Sequence, residues 1–172
     1  MLEVEVFISC GDEVAALRDV GNSVLKSLQH MLLYNMRVQV TILNWDYRMA
    51  PPTVVPKGGL AGLSLSMVER SQALIAIFGK ELPPVTREEI RKAFALRRAG
   101  KSVEVYVFIN PALKTGEHDT FLKNIEVDFG EKVVYTHYND SLEFQGKLFI
   151  TLMPFILKRI GDAGIPLLGG WP

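Results

Sequence analysis

The stretch Ala73–Gly79, ALIAIFG, decides the fold class. It is wholly apolar up to its glycine and is bounded by polar residues, which suits a strand buried on both faces better than an edge strand. A strand covered on both sides requires helices above and below it, so the segments around it are expected to alternate between strand and helix. Upstream, GLSLSMVER (62–70) reads as a short helix. Downstream, Thr86 to Arg98 reads as a helix with Ile90, Ala93 and Phe94 on one side and Gly100 placed to end it.

The alternation continues outward in both directions. LEVEVFIS (2–9) alternates and then turns wholly apolar, as a strand entering a covered sheet does. Asp12 is placed to cap a helix from about Glu13 to Tyr34, whose Leu17, Val20, Val24, Leu28 and Leu32 recur at spacings of three and four. RVQVTIL (37–43) is a second strand, followed by an irregular proline- and glycine-rich loop, Pro51 to Gly59. VEVYVFIN (103–110), a short helix near HDTFLKNI (118–125), KVVYT (132–136) and an amphipathic helix from about Asp140 to Ile160 complete the series, with Pro154 inside the last helix. The economical solution is a flavodoxin-like, doubly wound, mostly parallel sheet of about five strands with helices on both faces. Residues 1–160 form this one domain, and GDAGIPLLGGWP (161–172) reads as a linker-like tail leading to a further domain.

Composition narrows the class. The chain has 172 residues, 48% of them hydrophobic, which is enough to bury about two-thirds of its unfolded surface around one core. Nineteen basic residues balance nineteen acidic ones, so no net field recruits nucleic acid or an anionic membrane. No apolar run approaches the ~20 residues of a membrane helix, and MLEVEVFIS lacks the basic start of a signal peptide, so a cytoplasmic location is expected. The lone Cys10 agrees with a reducing compartment. His30, His118 and His137 lie on different elements without carboxylates at ligand spacing, so no metal site is expected. The turn after the first strand, SCGDEV, is not a dinucleotide fingerprint, and KGGLAG lacks the Lys-Ser/Thr pair of a phosphate loop. No cofactor is therefore expected.

Ligands of doubly wound sheets bind beyond the carboxyl ends of the strands. That edge collects Ser9, Cys10, Gly11 and Asp12, then Trp45, Asp46 and Tyr47, then Gly79, Lys80 and the turn from Thr86 to Glu89, then Asn110. Hydroxyls, carboxylates and an aromatic suit a sugar-bearing or nucleoside substrate better than a bare phosphate. Within PPVTREEIRKAF (83–94), Thr86 and Glu89 stand three apart. They form either a capping box at the helix start, worth on the order of 1 kcal/mol and no catalysis, or a site in which Glu89 is a reactive carboxylate. Glu88 takes that place if the helix starts one residue earlier. A carboxylate in a first helical turn would be kept ionised by the helix dipole.

VFIS (6–9), ERSQALIAIFG (69–79) and TREEIRKAFALRRAGKSVEVYVF (86–108) together resemble Toll/interleukin receptor (TIR) domains and their bacterial TIR-like relatives, over roughly Val4 to Asn110. Glu89, Ile90 and Ala93, followed by Gly100, Lys101 and an apolar strand, resemble the pattern around the catalytic glutamate of NAD-cleaving TIR domains, and equally that of nucleoside deoxyribosyltransferases. The first resemblance implies an NAD glycohydrolase of bacterial antiphage defence that releases nicotinamide and ADP-ribose or its cyclic form. It also implies NAD as substrate rather than cofactor, homo-oligomer assembly on activation and a downstream sensor domain. The second implies a nucleoside deoxyribosyltransferase or nucleotide N-glycosidase with Glu89 as covalent nucleophile. A third reading is a TIR-like module that self-associates without catalysis. Two positions depart from the patterns: Val85 stands where many NAD-cleaving domains carry tryptophan, and where the deoxyribosyltransferase pattern has an acidic residue shortly before Gly-Thr, KELPPVT (80–86) offers Glu81 at a distance with prolines in between.

Overall fold

The computed structural model describes residues 1–43 and 59–165. Five strands form one sheet: β1 (Leu2–Cys10), β2 (Val38–Leu43), β3 (Ala73–Phe78), β4 (Glu104–Ile109) and β5 (Tyr135–His137). Their order is β2-β1-β3-β4-β5, and every pairing is parallel, so the sheet is a flavodoxin-like, doubly wound one. The helices are α1 (Ala15–Met36), α2 (Gly59–Arg70), α3 (Pro84–Arg98), α4 (Gly116–Phe129) and α5 (Ser141–Asp162).

The period-two alternation of each strand divides its side chains between two cores. In β3, Ala73, Ile75 and Ile77 join Leu25 and Leu28 of α1 and Leu148 and Leu152 of α5 in one layer. Leu74, Ala76 and Phe78 join Ile90 and Phe94 of α3 and Ile125 of α4 in the other. All six β3 residues are buried, which is why that run carries no polar residue. Each large aliphatic side chain so buried contributes about 1.5–3 kcal/mol.

Helix ends depart from the sequence expectation in instructive ways. Asp12 does not cap α1. It opens a separate 3-10 turn, Asp12–Val14, whose N-cap is Gly11, and α1 follows from Ala15. α3 begins at Pro84 with Pro83 as N-cap, two residues before the expected start, because proline suits a first helical position where no N–H is needed. Gly100 does end α3: its φ is +87°, its N–H reaches Arg97 O at 2.9 Å, and the Lys101 N–H reaches Leu96 O at 2.9 Å. That pair is a Schellman closure, in which the left-handed residue favours glycine. α4 is longer than its expected core. β5 is three residues lying at the end of the expected KVVYT strand and beyond it, since Val134 is exposed. α5 starts where Asp140 accepts from the Glu143 N–H at 2.8 Å, and it runs through Pro154 to Asp162. Residues 166–172 of the tail lie outside the described residues.

Candidate active site

β1 and β3 pair directly, with Ser9 opposite Ala76 and Cys10 opposite Ile77, so their carboxyl ends open side by side where the strand order reverses. α3 is packed close to this point. A Cβ on Gly11 would meet Pro83 Cγ at 3.0 Å, so the absence of a side chain there lets the turn after β1 lie against the start of α3. Glu89 is thereby brought to the end of β1.

The capping-box reading fails on this geometry. With Pro83 as N-cap and no side-chain cap bond, Thr86 sits inside the first turn and Glu89 in the second. Thr86 is buried, and Glu89 is only 5% exposed. The Glu89 carboxylate turns away from the backbone. It accepts a hydrogen bond from the Ser9 hydroxyl, eighty positions away in sequence, and is also bonded to the Ser64 side chain from α2. Glu88, the alternative carboxylate, is exposed.

The expectation that the helix dipole keeps Glu89 ionised also needs correction. Burial pushes its carboxyl above the usual range; the Ser9 and Ser64 hydrogen bonds and the Arg18 charge oppose that, and Glu88 adds to it. A buried carboxylate accepting two hydroxyl bonds remains able to carry charge, at a proton affinity higher than that of a surface glutamate. Arg18 is itself buried, on α1. Its charge acts on both Glu89 and Cys10.

Cys10 ends β1 half-buried, and burial pushes its thiol up to about 11, so it is a thiol rather than a thiolate at neutral pH. That state does not suit nucleophilic attack. Asp12 is exposed beside it, and its charge reaches Cys10. Gly79 follows β3, and its hydrogen occupies space where a Cβ would overlap the Glu13 side chain. Glu13 holds that place because its Oε1 accepts from the Glu81 N–H at 2.7 Å. Asn110 is engaged in local structure, accepting from the Ala112 N–H at 2.9 Å and donating to Asn139 O at 3.2 Å. His118 is buried against Phe78, and its Nδ1 accepts from the Thr115 N–H at 3.2 Å. Burial holds its imidazole below the usual range.

Of the expected site residues, Ser9, Cys10, Asp12, Gly79, Thr86 and Glu89 fall at or beside this edge. Trp45, Asp46 and Tyr47 lie outside the described residues. Three contributors were not anticipated. Ser64 gives no signal in sequence, being one of two serines in an ordinary amphipathic helix. Arg18 does: Val14, Arg18, Gly21 and Leu25 share one face, and a cation between apolar residues at that spacing marks a buried charge. Glu13 is a surface glutamate by pattern, and its placement depends on Gly79.

No protein-family model matches the chain, and no curated protein matches it. Among solved structures, the CMP N-glycosidase BcmB of Clostridium botulinum is 18% identical, covers 86% of this chain and 98% of its own, and has a TM-score of 0.48. The homoserine dehydrogenase of S. aureus at pH 6.0 is 10% identical, covers 80% of this chain and 34% of its own, and has a TM-score of 0.47.

Proposed function

We propose that this protein cleaves an N-glycosidic bond of a nucleotide, with NAD as the substrate and Glu89 as the carboxylate that faces the sugar carbon. One observation supports the reading above the others: Glu89 makes no cap, is buried, and is aimed by the Ser9 and Ser64 side chains toward the carboxyl ends of β1 and β3. A glutamate with only a structural role in α3 would have no need of two serine partners from other elements. Breaking the bond to the base builds positive charge on the sugar, and an ionised carboxylate close by stabilises that oxocarbenium-like state or traps it covalently.

The chain's own groups divide the work. Ser9 and Ser64 fix the carboxylate's orientation and disperse its charge, and Arg18 offsets the effect of burial on its ionisation. Attack by Cys10 is disfavoured by its raised pKa. The resemblance of the Glu89 segment to NAD-cleaving TIR-like domains extends the proposal to a cytoplasmic effector of bacterial defence, switched on by assembly and coupled to a further sensor domain.

The test is chromatography of NAD and of a set of nucleoside monophosphates incubated with the concentrated protein. Free nicotinamide with ADP-ribose or its cyclic form supports the NAD reading. Free pyrimidine or purine without nicotinamide moves the assignment to nucleotide N-glycosidase, with Glu89 as nucleophile. No free base from any of them, with the fold intact, overturns the proposal.

A further inference from the structure

Of the three histidines, His30 and His137 are exposed and His118 is buried, at 0% exposure. His118 stands in the first turn of α4 and closes that turn with both its backbone and its ring. Its N–H reaches Thr115 O at 3.2 Å, and its Nδ1 accepts from the Thr115 N–H at 3.2 Å. A backbone N–H can only donate, so Nδ1 carries the lone pair and the neutral ring holds its proton on Nε2. Among the described residues, Nε2 has no hydrogen-bond partner. The ring lies against Phe78 of β3, with centroids 5.2 Å apart. Burial is the largest influence on its charge and disfavours the cation, as do Lys114 ahead of α4 and Arg87 of α3, while Asp119 of α4 and Glu13 of the 3-10 turn favour it.

We propose that His118 is an acid-operated latch: its neutral ring holds the first turn of α4 closed, and protonating that ring opens the turn. A proton added at Nδ1 takes the lone pair that holds the Thr115 N–H and sets two N–H groups facing each other. It also leaves a cation against Phe78 whose Nε2–H is unsatisfied. The charged ring leaves its pocket for water, and the turn that it closed opens locally without the sheet unfolding. Burial depresses the folded value, so the latch is closed above the ~6.5 of a free histidine and is lost as pH falls from there through the lower folded value. The opening bears on α3. Glu117, beside His118, pairs with Arg87, and Arg91 stands 5.9 Å from the Phe121 ring centroid, so the start of α4 braces the helix that carries Glu89. Regulation of bond cleavage by acid rests on the proposed function; the latch itself stands without it.

Amide hydrogen exchange of the full chain from about pH 7.5 to about pH 5, corrected for the intrinsic pH dependence of exchange, tests the latch. The amides to follow are those of residues 119–122, which bond back onto the first turn of α4, with the β3 amides reporting global stability. Opening at residues 119–122 should rise by up to about tenfold per pH unit below ~6.5, the slope of one linked proton, while β3 stays protected. His118→Asn keeps an acceptor for the Thr115 N–H and cannot titrate, so its exchange should lose that dependence. An NMR titration of the wild-type ring covers the case in which His118→Asn fails to fold: His118 should titrate below ~6.5, and the amide signals of residues 119–122 should move with it. Base release enters none of these readings, so failure of the latch is distinguishable from failure of the proposed function. Exchange at residues 119–122 that is constant across the range, a dependence that persists in a folded His118→Asn, or a His118 ring that titrates at or above ~6.5 overturns the latch.

Discussion

Glu89→Gln is expected to stabilise the protein at neutral pH while abolishing its chemistry. Glu89 is 5% exposed, and burial is the largest influence on its carboxyl, raising the pKa despite two hydroxyl partners and a nearby arginine. The net direction means that folding favours the protonated form. A group whose pKa is higher folded than unfolded stabilises fully below its unfolded value, and that contribution is lost as pH rises through the folded value. An ionised Glu89 is therefore a buried charge that Ser9, Ser64 and Arg18 offset only in part, and glutamine of the same shape carries no charge. One amide end still accepts from Ser9 or Ser64, so one hydroxyl contact is retained. Relief of a functional site's conflict of this kind is worth about 0.5–2 kcal/mol. At about 1 kcal/mol, the Tm of a domain this size rises by roughly 2–4 °C. The assay is thermal unfolding of both proteins from about pH 8 down to about pH 4, and the advantage of glutamine should shrink as the pH falls and Glu89 in the wild type becomes protonated. A loss of more than about 1 kcal/mol at neutral pH would mean that Glu89 contributes stability as an ion, and a difference constant across the range would mean that its protonation is not linked to folding; either result counts against a carboxyl raised by burial.

Ser9→Ala removes a hydroxyl that donates to the Glu89 carboxylate, a bond to a charged group worth about 1.5–3 kcal/mol. If that bond persists in the transition state, base release should slow about 10- to 100-fold, and the acid limb of the pH-rate profile should move upward, since the Ser9 hydrogen bond lowers the Glu89 pKa; an unmoved limb would show that Ser9 does not tune Glu89. Cys10→Ala should leave base release nearly unchanged, and iodoacetamide at neutral pH should label Cys10 slowly, because its thiol sits at about 11; rapid labelling at pH 7 would contradict that assignment. Gly79→Ala should displace the Glu13 side chain and free the Glu81 N–H, at a cost of about 1 kcal/mol read by chemical denaturation, because a flexible surface carboxylate can move aside. A loss of several kcal/mol would mean instead that the backbone at the β3 exit is forced to shift.

The sheet was legible because burial on both faces writes apolar runs directly into sequence, as in ALIAIFG, and because α1 and α5 carry long stripes at helical spacing. The start of α3 was misplaced. Thr86 and Glu89 match a capping box in spacing, and nothing local announces that Pro83 and Pro84 extend the helix by two residues. That shift decides what Glu89 does, since only a carboxylate beyond the cap is free to meet Ser9. The partners of Glu89 come from β1, α1 and α2, and such convergence is a property of topology rather than of any one segment. Ser64 illustrates the limit, because a serine in an amphipathic helix has no pattern that distinguishes a site hydroxyl from a solvated one. Asp12 illustrates the opposite error: a good capping residue at the right place opens a 3-10 turn instead, because Gly11 takes the extended conformation ahead of it.

The central claim is that Glu89 serves N-glycosidic bond cleavage, and the most direct measurement is nicotinamide release from NAD by wild-type protein beside Glu89→Gln, both shown to be folded by their unfolding curves. Wild type should release nicotinamide and the variant should not, with the variant at least as stable at neutral pH. Release that persists in Glu89→Gln would place the chemistry on another residue.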